Sequence, residues 1–315
     1  MDLKPVVPFE PIITSQIPQG ENWVAQIKWD GVRMLAYFNG HEVRFVNRRL
    51  HDRTKQYPEL GDIQKYCSAS SVILDGEIIA FDDKRPSFHE IMKRDSLRKS
   101  KSIELAIKQI PVTYMIFDVL YYNGSWIVDQ KLSDRQQILQ HIITENPNVQ
   151  IVQNFPDGDA LFQVMKQHDM EGIVCKDLES QYVIHGKDKR WQKKKILRDL
   201  FAAVGGATFR NGVVNALLLG LYDGSGHFVY IGHVGTGKLN HKDWENLTEK
   251  ILTLTIDSKP FANQPERIKG AIWVKPEIVV KVQFLEWTPG ATMRHPSIQA
   301  IVDVHVSECT FSQSK

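Results

Sequence analysis

Short apolar runs of strand length, broken by turn residues, set the pattern of the first half of the chain. Trp23 to Phe38 holds two such runs on either side of Lys28-Trp29-Asp30-Gly31. Asn39-Gly40 then separates Met34–Phe38 from Glu42–Val46, the signal of a type I′ hairpin. Val72 to Phe81 reads as a strand pair turning at Asp75-Gly76, and Val112 to Tyr122, β-branched and aromatic, as a buried strand. Helical spacing appears at Ile138, Leu139, Ile142 and Ile143 behind Ser133-Asp134-Arg135, which predicts a capped amphipathic helix. Asp159 to His168 is a second helix candidate, and Glu171 to Lys176 a short apolar strand with charged ends.

After Arg198 the texture changes. Phe201–Phe209, Ala216–Tyr222 and His227–Val234 are short strands divided by glycine-bearing turns, Lys242–Leu252 is a helix candidate, and Ile278–Phe284 and Ile298–Val306 resume strands. About five strands with one helix among them suit a small closed barrel such as an OB-fold. The expected class is α+β, in two domains, residues 1–197 and 198–315. No internal repeat or low-complexity linker is visible.

Composition narrows the function classes. The chain has 315 residues, 42% hydrophobic and 24% charged, ordinary for a globular protein. No apolar run approaches the roughly 20 residues of a membrane helix, and the N-terminus lacks the pattern of an export signal. Three widely spaced cysteines, Cys67, Cys175 and Cys309, argue against a disulfide framework or zinc ribbon and for a reducing, cytoplasmic setting. The formal charge of +2 hides a strong unevenness. Arg44–Lys55 carries a net +4, Lys84–Lys101 a net +5 and Lys187–Arg198 a net +6, which leaves −13 for the rest. A single charge run is usually a solvated face. Three of them point to an anionic partner.

Lys28-Trp29-Asp30-Gly31-Val32-Arg33 is the first candidate for chemistry. A lysine among apolar strand residues needs an offset for its buried charge, or must give up its proton and become nucleophilic. The plainer alternative is an edge-strand lysine whose stem packs while its head reaches water. The surrounding residues decide between them by resemblance. Lys28-x-Asp30-Gly31-x-Arg33, Asn47-Arg48 with Asp52, Thr54 and Tyr57–Leu60, Asp75-Gly76-Glu77 with Phe88–Arg94, Phe117-Asp118-Val119-Leu120, Glu171–Lys176 and Trp191–Lys195 follow in order. Together they resemble the covalent nucleotidyltransferase superfamily, specifically the small stand-alone ATP-dependent DNA ligases of bacteria and phages. The likeness continues through Val234–Gly237, Glu286-Trp287-Thr288 and Arg294–Ser297 and covers almost the whole chain.

That resemblance implies a nucleotidyltransferase core of antiparallel sheets and helices followed by an OB-fold. It implies an enzyme that takes AMP from ATP onto Lys28, passes it to a DNA 5′-phosphate and joins the 3′-hydroxyl. Lys176, Lys193 and Lys195 would supply charge beside Lys28. Gln26, Ile27, Arg33, Arg48, Glu77, Phe117 and Arg294 would join them in holding the nucleotide, Phe117 by stacking on the purine. Read without the family, Phe117 is a plain core aromatic. Glu171 and Glu77 are the candidate ligands for magnesium or manganese, Glu171 the stronger of the two, because the resemblance also implies a ribose contact for Glu77 in place of the metal. Arg49, Arg53, Lys187, Lys189, Arg190 and Lys194 are left for the phosphates of nicked or broken duplex DNA. If Trp191–Lys195 is a strand, Lys194 faces away from Lys193 and Lys195. The protein is expected to act as a monomer, with no membrane partner.

The chain departs from the family pattern at four places. Gln26 stands where the family usually has a glutamate, and its carbonyl keeps an acceptor for the adenine amino group. Asn123-Gly124 replaces Asp-Gly. Within Tyr182–Trp191 the glycine-arginine-serine pattern is eroded, with His185, Gly186 and Lys187 in its place. The basic segment that orients pyrophosphate in the family reads Val302-Asp303-Val304-His305, which bears on self-adenylation. The competing readings are an RNA ligase, a GTP-using capping enzyme, or a nucleic-acid-binding relic that has lost adenylation.

Overall fold

The computed structural model describes residues 3–82, 85–266 and 268–314. Lys84, at the start of the second basic run, lies outside them. The chain divides into two compact units, Met1–Ile196 and Leu197–Lys315.

The first unit contains β1 (Ile12–Ile13), β2 (Trp23–Ile27), β3 (Val32–Phe38), β4 (Val43–Asn47), β5 (Val72–Ala80), α1 (Phe88–Asp95), α2 (Ser100–Gln109), β6 (Val112–Tyr122), β7 (Ser125–Trp126), α3 (Leu132–Ile142), β8 (Val149–Ile151), α4 (Gly158–Gln167), β9 (Gly172–Asp177) and β10 (Trp191–Lys195). Two sheets form, one ordered β1-β10-β9-β2 and the other β4-β3-β5-β6-β7 with β8 beside β6. Most pairings are antiparallel; β1–β10 and β6–β8 are parallel. The larger sheet buries Met34, Ala36, Leu74, Ile78, Tyr114 and Ile116 on one face, in the main core of this unit. The smaller sheet packs Ala25, Ile173 and Cys175 against Leu161 and Met165 of α4.

Several local expectations are corrected. Asp75-Gly76 is not a turn, because β5 runs unbroken from Val72 to Ala80. Gly76 is there for close approach: a Cβ would lie 2.5 Å from the Tyr114 ring and 2.7 Å from the Met115 carbonyl oxygen. The β3–β4 turn is centred on Gly40-His41 rather than Asn39-Gly40. Asn39 Oδ1 accepts from the amides of His41 and Glu42, an Asx arrangement, and Gly40 takes φ +96°. The helix read behind Ser133 begins at Leu132 with Lys131 as its N-cap and no side-chain cap. Its first amides bond to carbonyls instead, Leu132 to Ser180 and Ser133 to Leu178. The basic run after Lys84 conceals two helices, α1 and the start of α2. Ser87 caps α1 by accepting from the Glu90 amide.

The second unit holds β11 (Arg198–Arg210), β12 (Val213–Tyr222), β13 (Phe228–Val234), α5 (His241–Thr253), β14 (Thr255–Ile256), β15 (Ile272–Val274), β16 (Val279–Phe284) and β17 (Ser297–Val302). Strand β11 is long. Its first half pairs with β16 and its second with β12, and Ala203 pairs with both. The segment after β13 meets β17 in an isolated parallel bridge, Gly237 to Ile298. Gly237 has φ +150°, and a Cβ there would lie 2.0 Å from the Ile298 oxygen, so only glycine permits that closure. The result is the five-stranded OB barrel with α5 between its third and fourth strands. The short pair β14–β15 is additional, and the last strand ends at Val302 rather than Val306.

Candidate active site

The strand period of two assembles the site. In the small sheet, Val24 pairs with Lys176, Gln26 with Val174, and the Lys28 amide donates to the Gly172 carbonyl at 3.0 Å. On the other side of β9, Trp191 pairs with Lys176, Lys193 with Val174 and Lys195 with Gly172. One face therefore carries Gln26, Lys28, Lys176, Trp191, Lys193 and Lys195. The other carries Ala25, Ile27, Ile173 and Cys175 against α4. Ile27 thus packs in that apolar layer and is not on the lysine face. Lys28 itself lies one residue past the end of β2.

Lys28 Nζ donates to Glu171 Oε2 at 2.5 Å, and Lys195 Nζ reaches Glu171 Oε1 at 2.9 Å. The nearest charge to Lys28 is thus an anion, with Lys195 on the other oxygen of the same carboxylate and Lys193 close enough to feel both lysines. Burial works to raise the Glu171 pKa, but Lys28 and Lys195 outweigh it and hold the carboxyl below the usual range. Lys193 is pushed down by burial and by its neighbours Lys28 and Lys195. Lys176 is 2% exposed, and its Nζ has no hydrogen-bond partner among the described residues. It lies 4.1 Å from the Phe117 ring centroid and 3.9 Å from that of Trp191. Burial drops its pKa to about 7, opposed by Asp118 and Asp75 and aided by Arg33 and Arg135.

The larger sheet supplies the facing residues. Gly76 pairs with Ile116 and Asp75 with Asp118, so Phe117 is left over in a β-bulge. Bulges re-aim side chains beside functional sites, and this one places Phe117 next to Lys176, Arg33 and Trp191. Arg33 is tied into the first unit on three sides. Its Nε and Nη2 donate to Asp75 at 3.0 and 2.7 Å, and Nη1 to the Phe9 carbonyl at 2.6 Å. The guanidinium fork is spent within the protein. Glu77 pairs across the ladder with Arg33. Burial lifts its pKa to about 8 against the pull of Lys28 and Arg33, with Glu171 adding to the rise.

The structure does not use all candidate residues alike. Arg48 is exposed and 3.9 Å from Glu10. Arg49, Lys187 and Lys189 are exposed, and Arg190 pairs with Asp188 at 3.3 Å. Lys194 faces away from Lys193, with Nζ 4.7 Å from the Phe162 ring of α4. Arg53 was expected on a DNA-facing surface, but its side chain is 14% exposed and bonded to Asp95 at 3.1 Å. Arg94 of the second basic run is wholly buried, held by Glu59 and the Gln56 carbonyl. Part of the basic surplus is thus internal. Arg294 belongs to the second unit, where it meets Glu286 at 2.5 Å.

Three supporting groups escaped the sequence reading. Asp118 and Arg135 form a fully buried two-point ion pair, at 2.8 and 2.9 Å. Tyr182 donates to Asp75 at 2.8 Å and accepts from the Phe9 amide at 2.9 Å. A carboxylate inside an apolar strand, as at Asp75 and Asp118, is as anomalous as Lys28 and is the signal that would have found them.

Among the described residues no group of three or more His, Cys, Asp or Glu gathers as for a protein-caged metal. Glu171 with Glu77 fits magnesium, which takes one or two carboxylates and fills its shell with water and phosphate oxygens.

The sequence profile described as the ATP dependent DNA ligase domain matches residues 8–195, and that of the ATP dependent DNA ligase C terminal region matches residues 210–303. The chain belongs to the ATP-dependent DNA ligase family. It is similar to the DNA ligase of Methanothermobacter thermautotrophicus, 30% identical over 332 residues, 96% of this chain and 57% of that protein. It is also similar to the multifunctional non-homologous end joining DNA repair protein LigD of Mycobacterium tuberculosis, 29% identical over 289 residues, 89% of this chain and 36% of that protein. It therefore spans about a third to just over half the length of these curated relatives. A solved structure of mycobacterial DNA ligase D complexed with ATP and MES is 27% identical, with TM-score 0.51 over 97% of this chain and 98% of that one. No helix among the described residues of this ligase-family chain is long and apolar enough to cross a membrane.

Proposed function

We propose that this chain is an ATP-dependent DNA ligase that joins a 3′-hydroxyl to a 5′-phosphate in duplex DNA, with Lys28 as the nucleophile. The observation that carries this reading is the single sheet face that gathers Lys28, Lys176, Lys193 and Lys195 with Glu171 at its end. Four lysines on one face, one of them buried without a hydrogen-bond partner among the described residues, have little structural use and fit a phosphorylated ligand.

Lys28 Nζ attacks the α-phosphorus of ATP. The amine attacks in its neutral form, having passed a proton to Glu171 Oε2; a P–N bond forms and the P–O bond to pyrophosphate breaks. Glu171 aims the Lys28 amine, while Lys195 keeps a second positive charge beside it. Lys193, on the rung between Lys195 and Trp191, offsets charge on the phosphates. Glu171 and Glu77 would hold magnesium, which supplies charge neutralisation of the triphosphate. AMP then passes to the DNA 5′-phosphate, and the 3′-hydroxyl displaces it. Lys187, Lys189 and Arg190 would grip backbone phosphates.

The test is a chase. Protein labelled with α-labelled ATP and magnesium is mixed with a nicked duplex. The reading predicts that label moves to the DNA 5′ end and is then released as AMP as the nick closes. Failure to label the protein, or a label that never reaches DNA, contradicts it. A pre-adenylated nick separates loss of the first step, where Val302–His305 bears, from loss of the last.

A further inference from the structure

The turn after β4 carries an arrangement that the nucleotide site leaves unused. The Leu50 amide donates to the Asn47 carbonyl at 2.8 Å, and the Asn47 amide to the His51 carbonyl at 3.0 Å, which closes a hairpin loop of Arg48, Arg49 and Leu50. Asn47 Oδ1 accepts from the backbone amides of Arg49 and His51, each at 3.0 Å. Backbone amides only donate, so this hold has one sense. The last position of such a loop is left-handed and favours glycine. Here it is a leucine, at φ +62°.

Among the described residues Leu50 is the only large apolar side chain held at positive φ. It is 44% exposed and belongs to none of the buried apolar clusters of its unit. The backbone bears strain that the side chain does not repay within the fold. Arg48, Arg49 and His51 around it are exposed. Arg48 and Lys187 both approach the Glu10 carboxylate, at 3.9 and 3.7 Å, so the tip shares a surface with the third basic segment. An apolar tip ringed by cations is complementary to DNA, whose phosphates flank apolar sugar and base faces.

We propose that Leu50 is a specificity-determining residue for the break itself: with Arg49 on a phosphate, its side chain packs against the sugar and base faces of the interrupted step of a nicked duplex. A step with one strand cut opens at less cost than a continuous one. An apolar wedge therefore favours the nick over intact DNA, which phosphate contacts do not. This rests on the reading that the chain seals duplex DNA, and it adds a determinant of where on the duplex the chain settles.

Equilibrium binding of the full chain to a nicked and to a continuous duplex of one sequence tests it without requiring catalysis. The wild type is expected to prefer the nick. Leu50→Gly lowers affinity for the nick by about tenfold and for the continuous duplex by less than about twofold. Leu50→Asn does the same, which sets aside a loosened loop as the cause. Glycine and asparagine both adopt φ +62° with less strain than leucine, so neither variant melts below the wild type. Leu50→Met keeps the preference. Arg49→Ala weakens both duplexes alike and lowers the salt dependence by about one phosphate contact. Lysyl-AMP formation is unchanged in Leu50→Gly and Leu50→Asn. A wild type without nick preference, a wild-type preference in either variant, or an equal loss on both duplexes overturns the proposal while leaving the ligase reading standing. A wild type that neither binds nor seals the nicked duplex overturns both.

Discussion

Two buried cations in the first unit, Arg135 and Lys176, meet opposite fates. Arg135 is 0% exposed, grips Asp118 at two points and donates to the Gln130 and Ser180 carbonyls. Burial opposes its charge, yet Asp118 outweighs burial and holds the pKa above its usual value. Lys176 is 2% exposed and has no hydrogen-bond partner among the described residues, which offer it the faces of Phe117 and Trp191. A saturated buried pair is part of the scaffold. An unsaturated buried ammonium is a cost the fold carries, and such costs collect at sites kept for ligands.

The contrast is open to attack in order of expected effect. Lys28→Ala should lower lysyl-AMP formation by at least about a thousandfold, with a thermal melt close to the wild type, because Lys28 lies past its strand and is not in the core. A normal rate would remove the nucleophile from the lysine face. Arg135→Met strips the partner from buried Asp118 and should destabilise by about 3–5 kcal/mol in denaturant unfolding. A change below about 1 kcal/mol would deny the pair its structural role.

Lys176→Met has the opposite expected sign. It removes an unpaired buried ammonium and should stabilise by about 1–3 kcal/mol while weakening nucleotide binding. The gain should depend on pH. Below about 7 the wild-type ammonium is charged both folded and unfolded, and only the folded chain bears the cost of burial. Above that pH the folded chain releases a proton that the unfolded chain keeps, so wild-type stability rises toward the ordinary lysine range and the variant's advantage shrinks. Melts from pH 6 to 9 read this directly, and an advantage that grows with pH would contradict it. The smallest effect is expected at the surface. Lys189→Glu with Arg190→Glu should weaken binding to a nicked duplex by about tenfold and leave lysyl-AMP formation unchanged. Equal loss of both would place these residues in the nucleotide site.

The same contrast separates what the chain's pattern discloses from what it hides. Alternation along Trp191–Lys195 is enough to divide Lys193 and Lys195 from Lys194, because a strand obeys a period of two whatever surrounds it. Gly76 misleads for the opposite reason. Glycine permits a turn and also permits close packing, and only the Tyr114 ring lying against it decides. The short ribbon β14–β15 has too few residues to show a period. The basic run from Lys84 looks like a solvated face because charge alone does not reveal that Arg94 folds inward onto Glu59. The site follows the same rule. Its lysines are legible as residues in order, whereas the partners of Lys28, Arg33 and Gln26 lie 143, 42 and 128 positions away, and no local pattern names them.

The central claim is that the lysine face is built for AMP and that Lys28 receives it. The most direct measurement is mass spectrometry of the protein after incubation with ATP and magnesium, with the adduct mapped to a peptide. The account predicts one AMP adduct, on the peptide carrying Lys28, absent from Lys28→Ala. An adduct on any other residue, or one that persists in Lys28→Ala, would contradict it.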